Sequence, residues 1–326
     1  MRLFLGGSDG LKLFEEGDVT RLSGQGVLCL VRTADGGVLA GTDAGSILAW
    51  PGLGETRMLA KDLGDAVTSL SLARSGRLLA GCLPAGAWHS KDEGESWAPM
   101  RTLGTCPGSE SWSCPEGGPD LARNAAPAVS ALGAHHKDAK TIYAGIRVGG
   151  VYRSRDGGKS WFNLTVPCPD VHSIQLSAAR PERVYVTTGG GSAGAPIGGA
   201  FCSDDEGLSW RRMGEANRRQ YTMGLAAHPT EPDRVIISAA AGPPPTWKSN
   251  AHCDLYLSTD SGRRFRTVVK DLKGGVRRRA LVINPRVPSE AAFGTASGEL
   301  WYSNDGGESF DRVADGLSDL MAVAFA

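Results

Sequence analysis

Apolar positions along this chain come in short runs that alternate with polar ones and then stop at a glycine-rich turn. Five such runs end in serine: "GAWHS" at Gly86, "GVYRS" at Gly150, "GAFCS" at Gly199, "DLYLS" at Asp254 and "ELWYS" at Glu299. Weaker counterparts are "GLKLF" at Gly10 and "SILAW" at Ser46, which makes seven. Alternation over so few residues, bounded by turn residues, predicts strands. A second class of run lies upstream of each. Its copies are "LFLGG" at Leu3, "VLAGT" at Val38, "LLAGC" at Leu78, "IYAGI" at Ile142, "VYVTT" at Val184, "VIISA" at Val235 and "AAFGT" at Ala291. A third class precedes the second: "VLCLVRT", "AVTSLSL", "AVSALGA", "VHSIQLS", "YTMGLAA" and "RRALVIN". Its copy before Leu3 is missing and stands at the far end instead, as "LMAVAFA", Leu320 to Ala326.

Five of the serine-ended runs open a polar box, Ser-x-Asp-x-Gly-x-x-aromatic: "SKDEGESW", "SRDGGKSW", "SDDEGLSW", "STDSGRRF" and "SNDGGESF". Each box reads as the hairpin from a third strand into a fourth. Its aspartates, Asp92, Asp156, Asp205, Asp260 and Asp305, suit turns because a carboxylate can accept hydrogen bonds from nearby backbone N–H groups. The glycine supplies a backbone angle that side chains resist. The closing Trp or Phe begins the fourth strand and packs into the core. Four strands in seven units predict an all-β fold: one seven-bladed β-propeller domain over residues 1–326. The C-terminal strand pairs in blade 1 and closes the ring, which leaves no open sheet edge.

Composition agrees with many strands and turns. Glycine counts 45 of 326 residues and proline 18. The charge balance is even, with 35 Lys+Arg against 35 Asp+Glu, which argues against a nucleic-acid partner for the whole surface. No apolar run approaches a membrane span, and the start has no leader-like pattern. The expectation is a cytoplasmic monomer whose seven cysteines are thiols or ligands.

The boxes match the Asp-box, or bacterial neuraminidase, repeat, and the chain resembles the sialidase-like Asp-box propeller superfamily. The resemblance implies the fold and boxes that lie away from the functional face. Sialidases in this group use three arginines, a tyrosine nucleophile and an aspartate acid. Arg147, Arg219, Arg278, Tyr221 and Asp43 are the residues available for those roles, but the family's Arg-Ile-Pro motif has no copy near the N-terminus.

Long loops on a rigid scaffold are where function resides. Three stand out: "GGGSAGAPIG" in blade 5, "AAGPPPTWKSNAHC" in blade 6, and an insertion from Thr102 to Pro127 between blades 3 and 4. All belong on one face. There Arg147, Arg219 and Arg278 would supply charge at the channel mouth, with Tyr221 and Trp247 as a wall. Converging guanidiniums suit an anionic small molecule, glycan or protein segment, and a solvated basic rim is the plainer reading. Cys168, His172, His252 and Cys253 are candidate zinc or copper ligands, against ordinary loop packing. A Cys106–Cys114 bridge is a further option. An enzyme on the same face would be Cys/His metal-dependent or a glycosidase. The carboxylates Glu110, Glu116 and Asp120 offer no identifiable pair for the latter.

Overall fold

The computed structural model describes residues 1–113, 126–190, 198–214, 217–248 and 250–326. Seven four-stranded antiparallel sheets stand in a ring. Blades 2 to 7 each run outward in chain order, and their innermost strands are Val27–Arg32, Ala66–Leu72, Val129–Ala134, Val171–Leu176, Tyr221–Ala227 and Leu281–Ile283. Blade 1 is assembled from both ends: Leu320–Phe325 is its innermost strand and pairs with Arg2–Gly7, Leu3 opposite Phe325 and Leu5 opposite Val323. The innermost strands neighbour one another in order around the axis. The second strands are the most deeply buried, as in Leu78–Leu83 and Ile142–Ile146, where every residue is buried. They lie between neighbouring blades on both faces, so they read as continuous apolar runs with small residues where blades approach. At Gly145, for example, a Cβ would come within 2.6 Å of Val171 on the next blade.

The Asp boxes are the hairpins between third and fourth strands. Asp156 shows the chemistry. Its Oδ1 accepts from Ser154 Oγ at 2.8 Å, Lys159 N at 2.9 Å and Ser160 N at 3.0 Å, while Oδ2 accepts from Ser160 Oγ at 2.5 Å. The box serine then accepts from Gly158 N at 2.8 Å. The box aromatics sit one residue before the fourth strand, and Trp161 is buried.

A second repeated device joins the blades at the axis. The innermost strands of blades 1 to 6 each carry a bulge within their first four residues or, in blade 1, at the pairing of Gly7. Beside it, a thiol or hydroxyl of one blade donates to a carbonyl of the next. Cys29 Sγ reaches Val67 O, Ser69 Oγ reaches Val129 O, Ser130 Oγ reaches Val171 O and Ser173 Oγ reaches Met223 O. A bulge frees a carbonyl from the sheet ladder, and the neighbour's hydroxyl satisfies it.

Candidate functional site

The second strands of blades 5 and 6 end on the face opposite the Asp boxes, at Thr188 and Ala240. The blade-6 loop that follows contains a 3-10 turn, Pro244–Lys248. Trp247 fixes it. Its indole is buried, its Nε1 donates to Gly242 O at 2.9 Å, and its ring lies over Gly275, where a Cβ would meet it at 2.3 Å. The Arg277 guanidinium sits 5.2 Å from the ring centroid and pairs with Asp319 at 2.6 Å. Trp247 therefore anchors the loop from behind, because its large apolar area is better buried against blade 7 than exposed as a wall.

In front of that loop lies an open cleft of about 690 Å³. Its walls are largely main chain and small side chains, Gly189, Gly190 and Gly198 from blade 5 and Ala240 to Pro243 from blade 6. Its floor carries Arg218, Arg219, Gln220 and Tyr221. The arginines are not free charge. Asp254, 1% exposed, takes Arg218 through Nε at 3.2 Å and a terminal nitrogen at 2.8 Å. It also accepts from Tyr256 OH at 2.9 Å and Asp271 N at 2.9 Å. Asp271 pairs with Arg218 at 3.1 Å and Arg219 at 3.4 Å, and His252 Nδ1 lies 3.6 Å from it. The hydrogen bond from Arg218 holds the Asp271 carboxyl below its ordinary range. Burial and the bond to Asp254 push the Tyr256 hydroxyl up to about 12. Two guanidiniums thus face two carboxylates, and the sequence-level expectation of a converging cationic mouth is corrected to a charge-balanced floor. The aspartates were not visible as partners because they come from strands 36 and 52 residues further on.

Beside the cleft, blades 4, 5 and 6 assemble a polar cluster. His172, 2% exposed, contacts Thr222 O through Nδ1 at 2.7 Å. A carbonyl only accepts, so Nδ1 carries the proton and Nε2 is left for the cluster. Tyr221 OH lies 3.4 Å from Nε2, and Asp170 Oδ1 lies 3.5 Å from it. Burial raises the Asp170 carboxyl, but the charges of His172 and Arg147 and the His172 contact outweigh it, and it ends at about 2. One Arg147 terminal nitrogen and Asp170 Oδ1 are buried without a hydrogen-bond partner. This cluster brings together three residues expected from sequence, Arg147, His172 and Tyr221. Asp170 is the addition. It sits two residues before His172 in "CPDVH", at the entrance of an inner strand, and that position was the available signal.

The other expected residues are dispersed. The Arg278 carbonyl accepts from Ser173 Oγ at 3.1 Å, and the charge of the Arg278 guanidinium acts on Arg279 rather than in the cleft. Cys253 is buried at the start of its strand, while the adjacent His252 precedes the strand in a left-handed conformation, φ 45°, and is exposed. Burial pushes the Cys253 thiol up to about 12 and raises that of Cys168. Both shifts favour the thiol over the thiolate a metal requires. Among the described residues no three His, Cys, Asp or Glu side chains gather as a metal site, so the expected copper or zinc set is not assembled. Asp43 lies on blade 2, away from the cleft, and Glu110 is exposed on a 3-10 turn beside blade 4. Cys114, Glu116, Asp120 and most of the blade-5 loop lie outside the described residues.

These features define a class: a seven-bladed Asp-box β-propeller with a polar cleft over blades 5 and 6. Residues 149–276, within blades 4 to 6, match the family model described as "Sortilin, neurotensin receptor 3". No curated protein matches the sequence. Among solved structures, the GH74 xyloglucanase from Xanthomonas campestris is similar at 17% identity, with a TM-score of 0.71 over 96% of this chain and 52% of that one. A GH74 enzyme from Niastella koreensis is similar at 14% identity, with a TM-score of 0.66 over the same shares. The chain spans about half the length of these two. YCF48 bound to D1 peptide is similar at 16% identity, with a TM-score of 0.57 over 88% of this chain and 82% of that one. At these identities the likeness is one of fold.

Proposed function

We propose that this propeller is a recognition module that holds an extended protein segment in the cleft between blades 5 and 6. The observation that carries the reading is the cleft itself. Small residues of blades 5 and 6, Gly189, Gly190, Gly198 and Ala240 to Gly242, leave main chain lining it beside guanidiniums that are each paired with a carboxylate. A peptide presents alternating N–H and C=O groups of its own and suits such walls. A small anion finds little net charge there. The peptide-bound YCF48 structure is a precedent for a single propeller in this role. We place the protein in the cytoplasm as a monomer, a setting that keeps buried thiols such as Cys168 and Cys253 reduced.

The test is binding of the purified protein to a peptide array and a glycan array. Thr246→Trp, which fills the cleft from an exposed position, is the matched control. Peptide signals that vanish in the variant support the proposal. Glycan binding that vanishes instead, or peptide binding unchanged by the variant, overturns it.

A further inference from the structure

The central channel contains a cation, Arg279, that has no carboxylate partner among the described residues. Arg279 precedes the innermost strand of blade 7, and its main chain is fixed by a parallel bridge to Ala322 and by Val323 N donating to its carbonyl at 3.0 Å. Its side chain crosses the axis. One terminal nitrogen donates to Ser130 O on blade 4 at 2.5 Å. Ser130 lies in the bulge, so its carbonyl is free of the ladder. The Arg279 Nε is buried and has no hydrogen-bond partner.

The surroundings make this cation costly. Burial pushes the Arg279 guanidinium down to about 10, and the neighbouring charge of Arg278 adds to that. Against it stands only the weak opposing influence of Cys29, a buried thiol itself pushed up to about 12 and therefore neutral at physiological pH. Nearby arginines on this face are compensated: buried Arg277 pairs with Asp319, and half-buried Arg219 pairs with Asp271. Among the described residues Arg279 has no such carboxylate. An isolated charge away from water is retained only when something compensates it.

We propose that the channel at Arg279 binds a small monovalent anion of halide size, held by the Nε–H and the remaining guanidinium N–H groups. The anion would act as a structural counter-ion that ties blade 7 to blade 4 across the axis. It is a separate site from the cleft and does not depend on the peptide reading.

The experiment is a melting series of the whole protein in sodium chloride against sodium gluconate at constant ionic strength. Gluconate is too bulky for the channel, so it controls for general screening. Chloride should raise Tm saturably by several degrees beyond gluconate, because a ligand bound only by the folded state stabilises it by mass action. Arg279→Met should abolish the chloride-specific increment. Coincident chloride and gluconate series overturn the proposal, as does an increment that Arg279→Met retains. If that variant does not fold, crystals of the unaltered protein grown in sodium bromide decide the matter. An anomalous bromide peak within hydrogen-bond reach of Arg279 Nε supports the site, and a channel without such a peak rejects it.

Discussion

A single carboxylate organises each Asp-box hairpin. Asp156 accepts four hydrogen bonds at 3.0 Å or less, two from backbone N–H groups and two from hydroxyls. Asp156→Ala should lower stability by about 1 kcal/mol or more in urea unfolding, because the turn amides lose their acceptor. The same bonds set a pH dependence. Hydrogen bonds from Ser96 hold the Asp92 carboxyl at about 2, and in Asp205 and Asp260 box hydrogen bonds outweigh burial to reach about 2. A folded value depressed below the ordinary 3.8 gives stability that is present above that value and lost as pH falls towards 2. The urea midpoint should therefore drop across that window, and Asp92→Asn should make the drop shallower. The residue after each box aspartate also adopts a left-handed backbone: Glu93 has φ 59°, Glu206 φ 60° and Ser261 φ 63°. Glu93 is exposed. Glu93→Gly should stabilise the protein by up to about 1 kcal/mol, since glycine tolerates that angle; a lower urea midpoint would count against it. The boxes were legible because their chemistry is local, with every partner of the aspartate within four residues. Trp247 was misplaced as a cleft wall because nothing local says which way an indole on a long loop turns.

At the level of the element, the blade-6 loop is a wall only because it is anchored. Trp247 is the anchor, with Gly275 beneath it and the Arg277–Asp319 pair beside it. Trp247→Ala should cost roughly 3 kcal/mol or more, as large-to-small changes in a packed core do. It should also abolish peptide binding at the cleft, while Thr246→Trp abolishes binding with the melting temperature nearly unchanged. Circular dichroism melts of the two variants separate anchoring from occlusion. Strand positions, the three strand classes and the loop lengths all stood in the sequence, since alternation and turn chemistry are short-range. The bulges of the innermost strands did not. A bulge is a mismatch between two strands, and one strand's pattern does not show it. Its only trace is the small hydroxyl near the start of these strands, as in "AVTS", "AVS" and "VHS".

The whole molecule depends on one contact between distant parts of the chain. Leu320–Phe325 fills the innermost position of blade 1, and Ala326 N donates to Arg2 O at 3.1 Å. Sequence showed this closure because a missing copy and a surplus copy of one pattern compensate each other. It did not show the floor of the cleft or the His172 cluster, whose members come from separate blades and meet only once the ring is built. Deleting residues 320–326 should remove an entire central strand, expose the backbone edge of Arg2–Gly7 and free the Arg279 carbonyl that Val323 holds. The melting temperature should fall sharply and the transition should become irreversible. Topology predicts that the pairing matters, not the position of the segment in the chain. The ends already meet, so a short linker from Ala326 to Met1 should be tolerated, with new termini opened at the exposed turn between Gly52 and Leu53. Closure then moves to blade 2, whose outermost strand, Arg57–Ala60, would come from the new N-terminus. The permuted protein should melt close to the parent while the truncated one does not. Equal loss in both would mean that blade 1 depends on its own chain ends, and an unchanged melt after truncation would remove the terminal strand from the account of stability.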